Sequence, residues 1–345
     1  MVEINRKVLI FMLRFKLKIS CLILLLGVVT LFYSCAPDED AVVVYSGRSA
    51  ELVDPVFQEI ARELPFEIQV RYGSTAELAA TIQEEGERTP ADLYYAQDAG
   101  GLGALQAEGK LKKLPAELLE KVEPVFRSAE DYWIGISGRA RVINYNTELV
   151  EAEELPDSIW DLTDPRWEGE IGWAPENASF HAFVTALRQL EGEDEARRWL
   201  EEMKANQPRR YPRNTPIVEA LGRGEISLGL VNNYYLYRFL EEDPDFPVGE
   251  HYTAGDAGAM MNVSGIGIVT GSNREKKARQ VIEQLLSEKH QRYFSSETHE
   301  YPLLKGIETV GRQKPLEEIQ IPQIQVEDLA ELQETVDLLR DVNVL

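Results

Sequence analysis

The sequence predicts an α/β fold built as two units around mostly parallel sheets, and three observations carry that prediction. Strand-like and helix-like segments alternate from residue 41 onward, the signature of βαβ construction. Several strand candidates are near-continuous apolar runs, as strands covered on both faces must be. The 345-residue length allows two domains of ordinary size, and 44% apolar with 28% charged residues is the balance of a folded soluble chain.

The first 35 residues stand apart. Arg6, Lys7, Arg14, Lys16 and Lys18 precede an apolar run from Cys21 to Tyr33, which ends at Ser34-Cys35. A basic region, a short apolar core and a small residue before the break make a secretory signal. The core is too short for a comfortable span, although an uncleaved anchor helix is the other reading. Cys35, followed by Ala36-Pro37-Asp38-Glu39-Asp40, is similar to the lipidated cysteine of a bacterial lipoprotein, with residues 36–40 as a linker. The bulk of the chain is therefore expected outside the cytoplasm, in the periplasm or at the cell surface, held at the membrane by a lipid on Cys35. Both cysteines lie in this segment, so the remainder has no disulfide or zinc-thiolate site. The segment carries a net charge of +4, so its removal takes the formal charge from -23 to -27. That balance argues against nucleic acid or an anionic membrane bound through a basic face.

Ala41 to Tyr45 reads as a buried parallel strand, ending at Ser46-Gly47-Arg48-Ser49. Leu52, Val56, Phe57 and Ile60 recur at helical spacing. Phe66 to Tyr72 is the second strand, Leu78 to Glu84 the second helix, and Asp92 to Tyr95 the third strand, with a helix opening at Ala99. Ligands of such sheets bind beyond the carboxyl ends of the strands, which places Arg48, Gln97 and Asp98 at one mouth. Trp133 to Tyr145 is largely apolar around Ser137-Gly138-Arg139, and 160–169 is rich in turn residues before a short strand at Ile171 to Trp173. Helices are expected at Phe180 to Leu190, Asp194 to Ala205 and Asn214 to Leu221. Ile226 to Val231 is a strand, delivering Asn232-Asn233-Tyr234-Tyr235 to a loop before a helix-like Leu236 to Glu242. Val263 to Val269 is a strand, Glu275 to Ser287 a helix, Glu300-Tyr301-Pro302 a loop, and the acidic stretch from Glu317 a solvated terminal helix.

Two adjacent tyrosines after two asparagines admit two readings. Phenol oxygens are hard donors suited to a highly charged cation, ferric iron foremost, which alone would hold two tyrosinates at neutral pH. The alternative is a pair of aromatics packing in a cleft.

The order of segments from about Val42 to about Gly306 resembles the periplasmic ferric-iron-binding proteins of ABC importers. The resemblance rests on Val44-Tyr45-Ser46-Gly47-Arg48, Thr89-Pro90-Ala91-Asp92-Leu93, Gly138-Arg139-Ala140-Arg141-Val142, Leu162 to Trp167, Asn232-Asn233-Tyr234-Tyr235, Asn262-Val263-Ser264-Gly265 and Glu300-Tyr301-Pro302. It implies a two-lobed periplasmic-binding-protein fold, each lobe a mostly parallel sheet flanked by helices, joined by crossing hinge strands. Lobe 1 would comprise 41–136 plus 264–303, and lobe 2 would comprise 137–263 plus 304–345. Tyr234 and Tyr235 would bind Fe³⁺ as phenolates. An anion such as carbonate or bicarbonate would sit against Asn177, Ala178, Ser179, Asn214 and Asn232, with Arg48, Arg139 and Arg141 as the candidates for balancing its charge. A structural salt bridge is the other reading of each arginine and the favoured one for Arg141. Relatives that carry a histidine at Ser49, a glutamate at Gln97 or a third tyrosine near Ser179 hold ligands this chain lacks, which is why exogenous anions are expected to complete the shell. Ser49, Gln97 and Asp98 would line the cleft, Asp98 mainly as a helix N-cap. The partner implied is an ABC permease, and a monomer is expected.

The same fold binding a phosphonate, a polyamine or a thiamine-like solute is the competing expectation. Catalysis is disfavoured. The four histidines, His181, His251, His290 and His299, show no metal-ligand spacing, and there is no GxSxG.

Overall fold

The valine run near the start of the folded region forms β1 (Val42–Ser46), buried at every residue. The computed structural model describes residues 41–325, 328–329 and 332–345; the expected signal segment, the linker and Cys35 lie outside them. α1 (Ala50–Glu63) buries Val53, Val56, Phe57 and Ile60 along one stripe, the pattern its spacing dictates. β2 (Ile68–Tyr72) leads to α2 (Thr75–Glu85), whose N-cap Ser74 accepts a hydrogen bond from the Glu77 N–H. β3 (Leu93–Ala96), α3 (Ala99–Ala107), β4 (Leu111–Lys112) and α4 (Ala116–Leu119) follow.

β5 (Trp133–Asn146) is one strand of 14 residues, buried along nearly its whole length. Next come β6 (Ile171–Trp173), α5 (Ala178–Glu191), α6 (Glu193–Ala205), β7 (Arg209–Arg210) and α7 (Asn214–Gly222). β8 (Leu228–Asn232), α8 (Tyr234–Glu242), β9 (Val248–His251) and β10 (Met261–Val269) complete the centre. The chain finishes with α9 (Glu275–Leu285), α10 (Glu288–Glu297), β11 (Tyr301–Pro302) and α11 (Leu332–Asp341). Among the described residues no helix is long and apolar enough to cross a membrane.

The strand order is β2-β1-β3-β10-β5-β8-β6-β7, with β4 added to β10 and both β9 and β11 added to β5. Pairing is parallel where β1 meets β2 and β3, and where β6 meets β7 and β8. These groups are the sheets of two α/β lobes. The antiparallel pairs belong to β5, β10 and the strands beside them. β5 pairs with β10 through its first half and with β8 and β9 through its second, so it runs through both lobes. The β5–β10 register shifts between Ser264 and Gly265.

Three local expectations change. Tyr234 and Tyr235 are the first two residues of α8 rather than loop residues. Asn233 already has helical angles (φ -51°, ψ -49°), and its buried side chain ties the corner down, so strand passes into helix with no loop between. The expected helix at 275–287 is followed by a second, α10, and Tyr301-Pro302 pairs with Gly138 and Ser137 as β11. The acidic C-terminal helix is half-buried rather than solvated: Thr335, Leu338 and Leu339 are covered, and Thr335 Oγ1 lies 2.7 Å from Thr185 Oγ1 of α5.

Candidate metal and anion site

Alternation along β5 puts Arg139 and Arg141 on one face of the strand. Arg141 stands opposite Asn232 in the β5–β8 register, so both side chains leave the sheet on the same side. Two residues after Asn232, α8 begins with the twin tyrosines. Their rings lie 4.3 Å apart at an interplanar angle of 31°. Across from them, α5 opens at Asn177, whose Oδ1 caps the helix by accepting from Ser179 N (2.9 Å) and Ser179 Oγ (2.7 Å).

These groups enclose a cavity of about 230 Å³. Tyr234, Tyr235, Asn232 and Arg139 line it with Asn177, Ala178 and Ser179. Gln97 and Asp98 reach it from the far side, and Asp98 is the one carboxylate among the described residues of its wall. Asp98 stands at the N-cap position of α3 but makes no capping bond, so its expected main role is not performed here. No cluster of three or more His, Cys, Asp or Glu suited to a metal occurs among the described residues, and the oxygen donors of this wall are phenols, amides and the one carboxylate of Asp98.

Electrostatics give the site its character. Burial pushes the Tyr234 phenol above its ordinary range, Tyr235 beside it adds to this, and Arg139 opposes it. Arg141 is fully enclosed and has no carboxylate partner among the described residues. Its Nη2 donates to Leu230 O (2.8 Å), while its Nη1 faces Ser179 Oγ (3.3 Å) and Asn232 Oδ1 (3.5 Å). Phe180 and Phe183 lie 5.9 and 5.5 Å from its guanidinium. Burial pushes its pKa down to about 9, against the pull of Tyr235 and Tyr234. Arg139 donates to the Gln97 carbonyl and pairs with no carboxylate either.

Several sequence expectations are revised. Arg48 is not available to an anion: it is buried, and its Nη2 holds Glu300 Oε1 at 2.5 Å. It reaches the site only through its Nη1 bond to Gln97 Oε1 (2.8 Å). Arg141, expected in a salt bridge, has none and faces the site. It stands two positions after Arg139 on a strand, with only Ala140 between, a spacing that puts both on one face. Ser49 is exposed at the N-cap position of α1 and does not line the cavity. Asn214 stands behind the wall, its Nδ2 donating to Ser179 Oγ (3.2 Å) and its buried Oδ1 unpartnered. The Ser179 N–H is consumed by the Asn177 cap and is not free for an anion. Asn262, whose buried Oδ1 is unpartnered, lines the cavity without having been assigned a role, as do Met260, Leu329 and Leu332. His181 belongs to the first turn of α5, with Nε2 2.8 Å from Pro175 O.

Known proteins resemble this chain along most of its length. The family described as bacterial extracellular solute-binding protein matches residues 88–321. The major ferric iron-binding protein of Neisseria meningitidis is 29% identical over 305 residues, 86% of this chain and 91% of that one. The crystal structure of iron-bound HitA from Pseudomonas aeruginosa is similar at a TM-score of 0.78 and 34% identity, covering 88% of this chain and 99% of its own. The Trichodesmium protein IdiA (FutA), in complex with iron and citrate, is similar at a TM-score of 0.79 and 27% identity over 88% and 99% of the two chains.

Proposed function

The chain belongs to the bacterial extracellular solute-binding proteins, and from that premise we propose that it captures ferric iron outside the cytoplasm for an ABC permease. The observation that carries this reading is the adjacent, mutually tilted phenol pair Tyr234 and Tyr235 in a cavity that also holds Arg139, with Arg141 behind it in no ion pair among the described residues. Burial, with Tyr235 beside it, keeps the Tyr234 proton on against the pull of Arg139, and a strong cation at the phenol oxygen would release it.

Charge counting calls for an anion as well. Two phenolates leave a ferric ion with one net positive charge, and carbonate more than cancels it. Arg139 and Arg141 supply positive charge against the negative excess that carbonate leaves, whereas bicarbonate would bring the centre to neutrality. The side-chain N–H groups of Asn177 and Asn232 and the Ala178 backbone N–H stand around it, while Ser179, whose N–H and O–H both go to Asn177, holds the turn in place with Asn214 bracing it from behind. Asp98 supplies a further oxygen within the same wall. The expected lobe boundaries at 136–137 and 263–264 would put the hinge on β5 and β10, near the register shift between Ser264 and Gly265. A lipid on Cys35 would hold the monomeric binding protein at the membrane, within reach of the permease.

The test is a visible absorption titration of the purified protein with ferric citrate, with and without bicarbonate. A saturable tyrosinate-to-iron charge-transfer band is expected, stronger when bicarbonate is present, and lost in the Tyr234→Phe/Tyr235→Phe variant with its fold intact. No band, or tight iron binding retained by the double variant, would make the tyrosines a cleft wall and turn the search toward an organic solute.

A further inference from the structure

α8 presents Tyr234 and Tyr235 to the cleft, and it presents Leu236, Tyr237 and Leu240 to a second cavity of about 440 Å³. The two cavities share no lining residue. The second is walled on its apolar side by Phe246 and Val248, and its polar wall is Glu250 of β9.

Glu250 is a buried carboxyl that the iron site does not use. Its Oε1 accepts two phenol hydrogens, from Tyr237 (2.8 Å) and Tyr252 (2.6 Å). Its Oε2 is withdrawn from water and has no partner. Asn144, opposite Glu250 in the β5–β9 register, also has both amide atoms buried and unpartnered. Buried polar atoms in native proteins are nearly always satisfied, so this face of the sheet has unspent capacity for a donor. Burial pushes the Glu250 carboxyl up to about 7, and a cation beside Oε2 would reverse that.

The cavity lining also carries two positive side chains, Arg312 and Lys314. Lys314 Nζ lies 5.7 Å over the Tyr252 ring, and Arg312 donates to Pro244 O at 3.1 Å. Neither pairs with a carboxylate among the described residues. Asp245 and His251 are the other ionisable groups of the lining, and the His251 Nε2 is engaged with Pro156 O at 2.7 Å.

We propose that this second cavity binds a small ω-amino acid. Its ammonium would meet Glu250 Oε2, its methylenes would lie on Leu236, Leu240 and Phe246, and its carboxylate would face Arg312 and Lys314. Oε1 is saturated by phenols, so Oε2 is the acceptor left for an N–H donor. The apolar wall between the charged ends suits a chain of methylenes.

Calorimetric titration with 6-aminohexanoate tests this, with hexylamine and hexanoate as single-ended probes. Saturable binding of 6-aminohexanoate is expected, with each single-ended probe weaker by about tenfold or more. Glu250→Gln removes the binding, and Arg312→Met/Lys314→Met reduces it to the level of hexylamine. Because the cavities are separate, both variants keep the iron titration of the parent protein. Absence of saturable heat, or binding unchanged in a Glu250→Gln variant that still takes up iron, overturns the proposal. Should Glu250→Gln fail to fold, the exposed Arg312 and Lys314 decide the matter, since undiminished binding in their double variant overturns it equally. A parent protein that binds 6-aminohexanoate but no iron would overturn the iron reading and leave this one standing.

Discussion

Arg48 and Arg141 are both buried arginines, yet they stand in opposite situations. Arg48 faces Glu300 at 2.5 Å, with the pair 0% and 3% exposed. Burial works against its charge, but Glu300 outweighs that and holds the guanidinium protonated. Removing one partner of such a pair strands the other, so Arg48→Met is expected to cost about 3–5 kcal/mol of stability. Arg48→Met/Glu300→Leu should recover most of that loss, as compared by denaturant midpoints. Arg141 has no carboxylate to strand and is held only by dipoles and two aromatic rings. Arg141→Met therefore leaves stability unchanged or raised, while iron affinity in bicarbonate falls about tenfold or more. Thermal melting and the iron titration, run on the same sample, separate the two effects, and a drop in melting temperature with unchanged affinity would make Arg141 purely structural. The sequence offered the alternation that pairs Arg139 with Arg141. It could not show which arginine had a carboxylate, because Glu300 lies 252 residues from Arg48.

α8 owes its position to a residue that contributes nothing to the cavity. Asn233 Oδ1 accepts from Ala140 N of β5 (2.9 Å), and its Nδ2 donates to His299 O (3.0 Å), just ahead of β11. The first turn of the tyrosine helix is thereby pinned to two other parts of the chain. Asn233→Ala leaves the Ala140 N–H buried without a partner, an expected loss of about 1–3 kcal/mol. It also frees the helix start, so iron affinity should fall although neither phenol is altered. Urea unfolding and the charge-transfer titration check both halves; affinity intact at reduced stability would show that the tyrosines do not depend on this anchor. At this scale the sequence was most legible where apolar period carries the element, as in β1, α1, β5 and α5. It failed at α10, whose interior face is built from His290, Gln291, Phe294 and Ser295, largely polar residues. Gln291 earns its burial by donating to Ile136 O and Leu285 O and accepting from Leu303 N. Such backbone-bridging bonds exist only once the strands are in place, so no local pattern announces them.

For the whole molecule, the proposed capture has to reconcile half-buried phenols with a trivalent cation. The fold supplies two α/β lobes, and β5 passes between them carrying Ser137 near the crossing and Arg139 at the cleft. Ser137 Oγ donates to Glu300 and lies 2.7 Å from Ser264 Oγ of β10, so the crossing strands are tied to the Arg48–Glu300 pair and through Gln97 to the cavity wall. That path was not legible in the sequence, which showed the segments but not the contacts between residues far apart in the chain. Its consequence for function is proton linkage. The Tyr234 phenol is held protonated in the empty cleft by burial and by Tyr235, with Arg139 opposing. A ferric ion bound by both tyrosines displaces a proton from each. Protons are then products of binding: raising pH favours capture, and lowering it favours release. With two displaced, the iron association constant should change about a hundredfold per pH unit below the range in which the phenols ionise in the empty cleft. Competition against a chelator of known proton stoichiometry, run between pH 6 and 8 in constant bicarbonate, measures that slope. A slope of about one per pH unit in log affinity would leave a single phenolate on the metal, and a pH-independent affinity would remove both from the coordination shell.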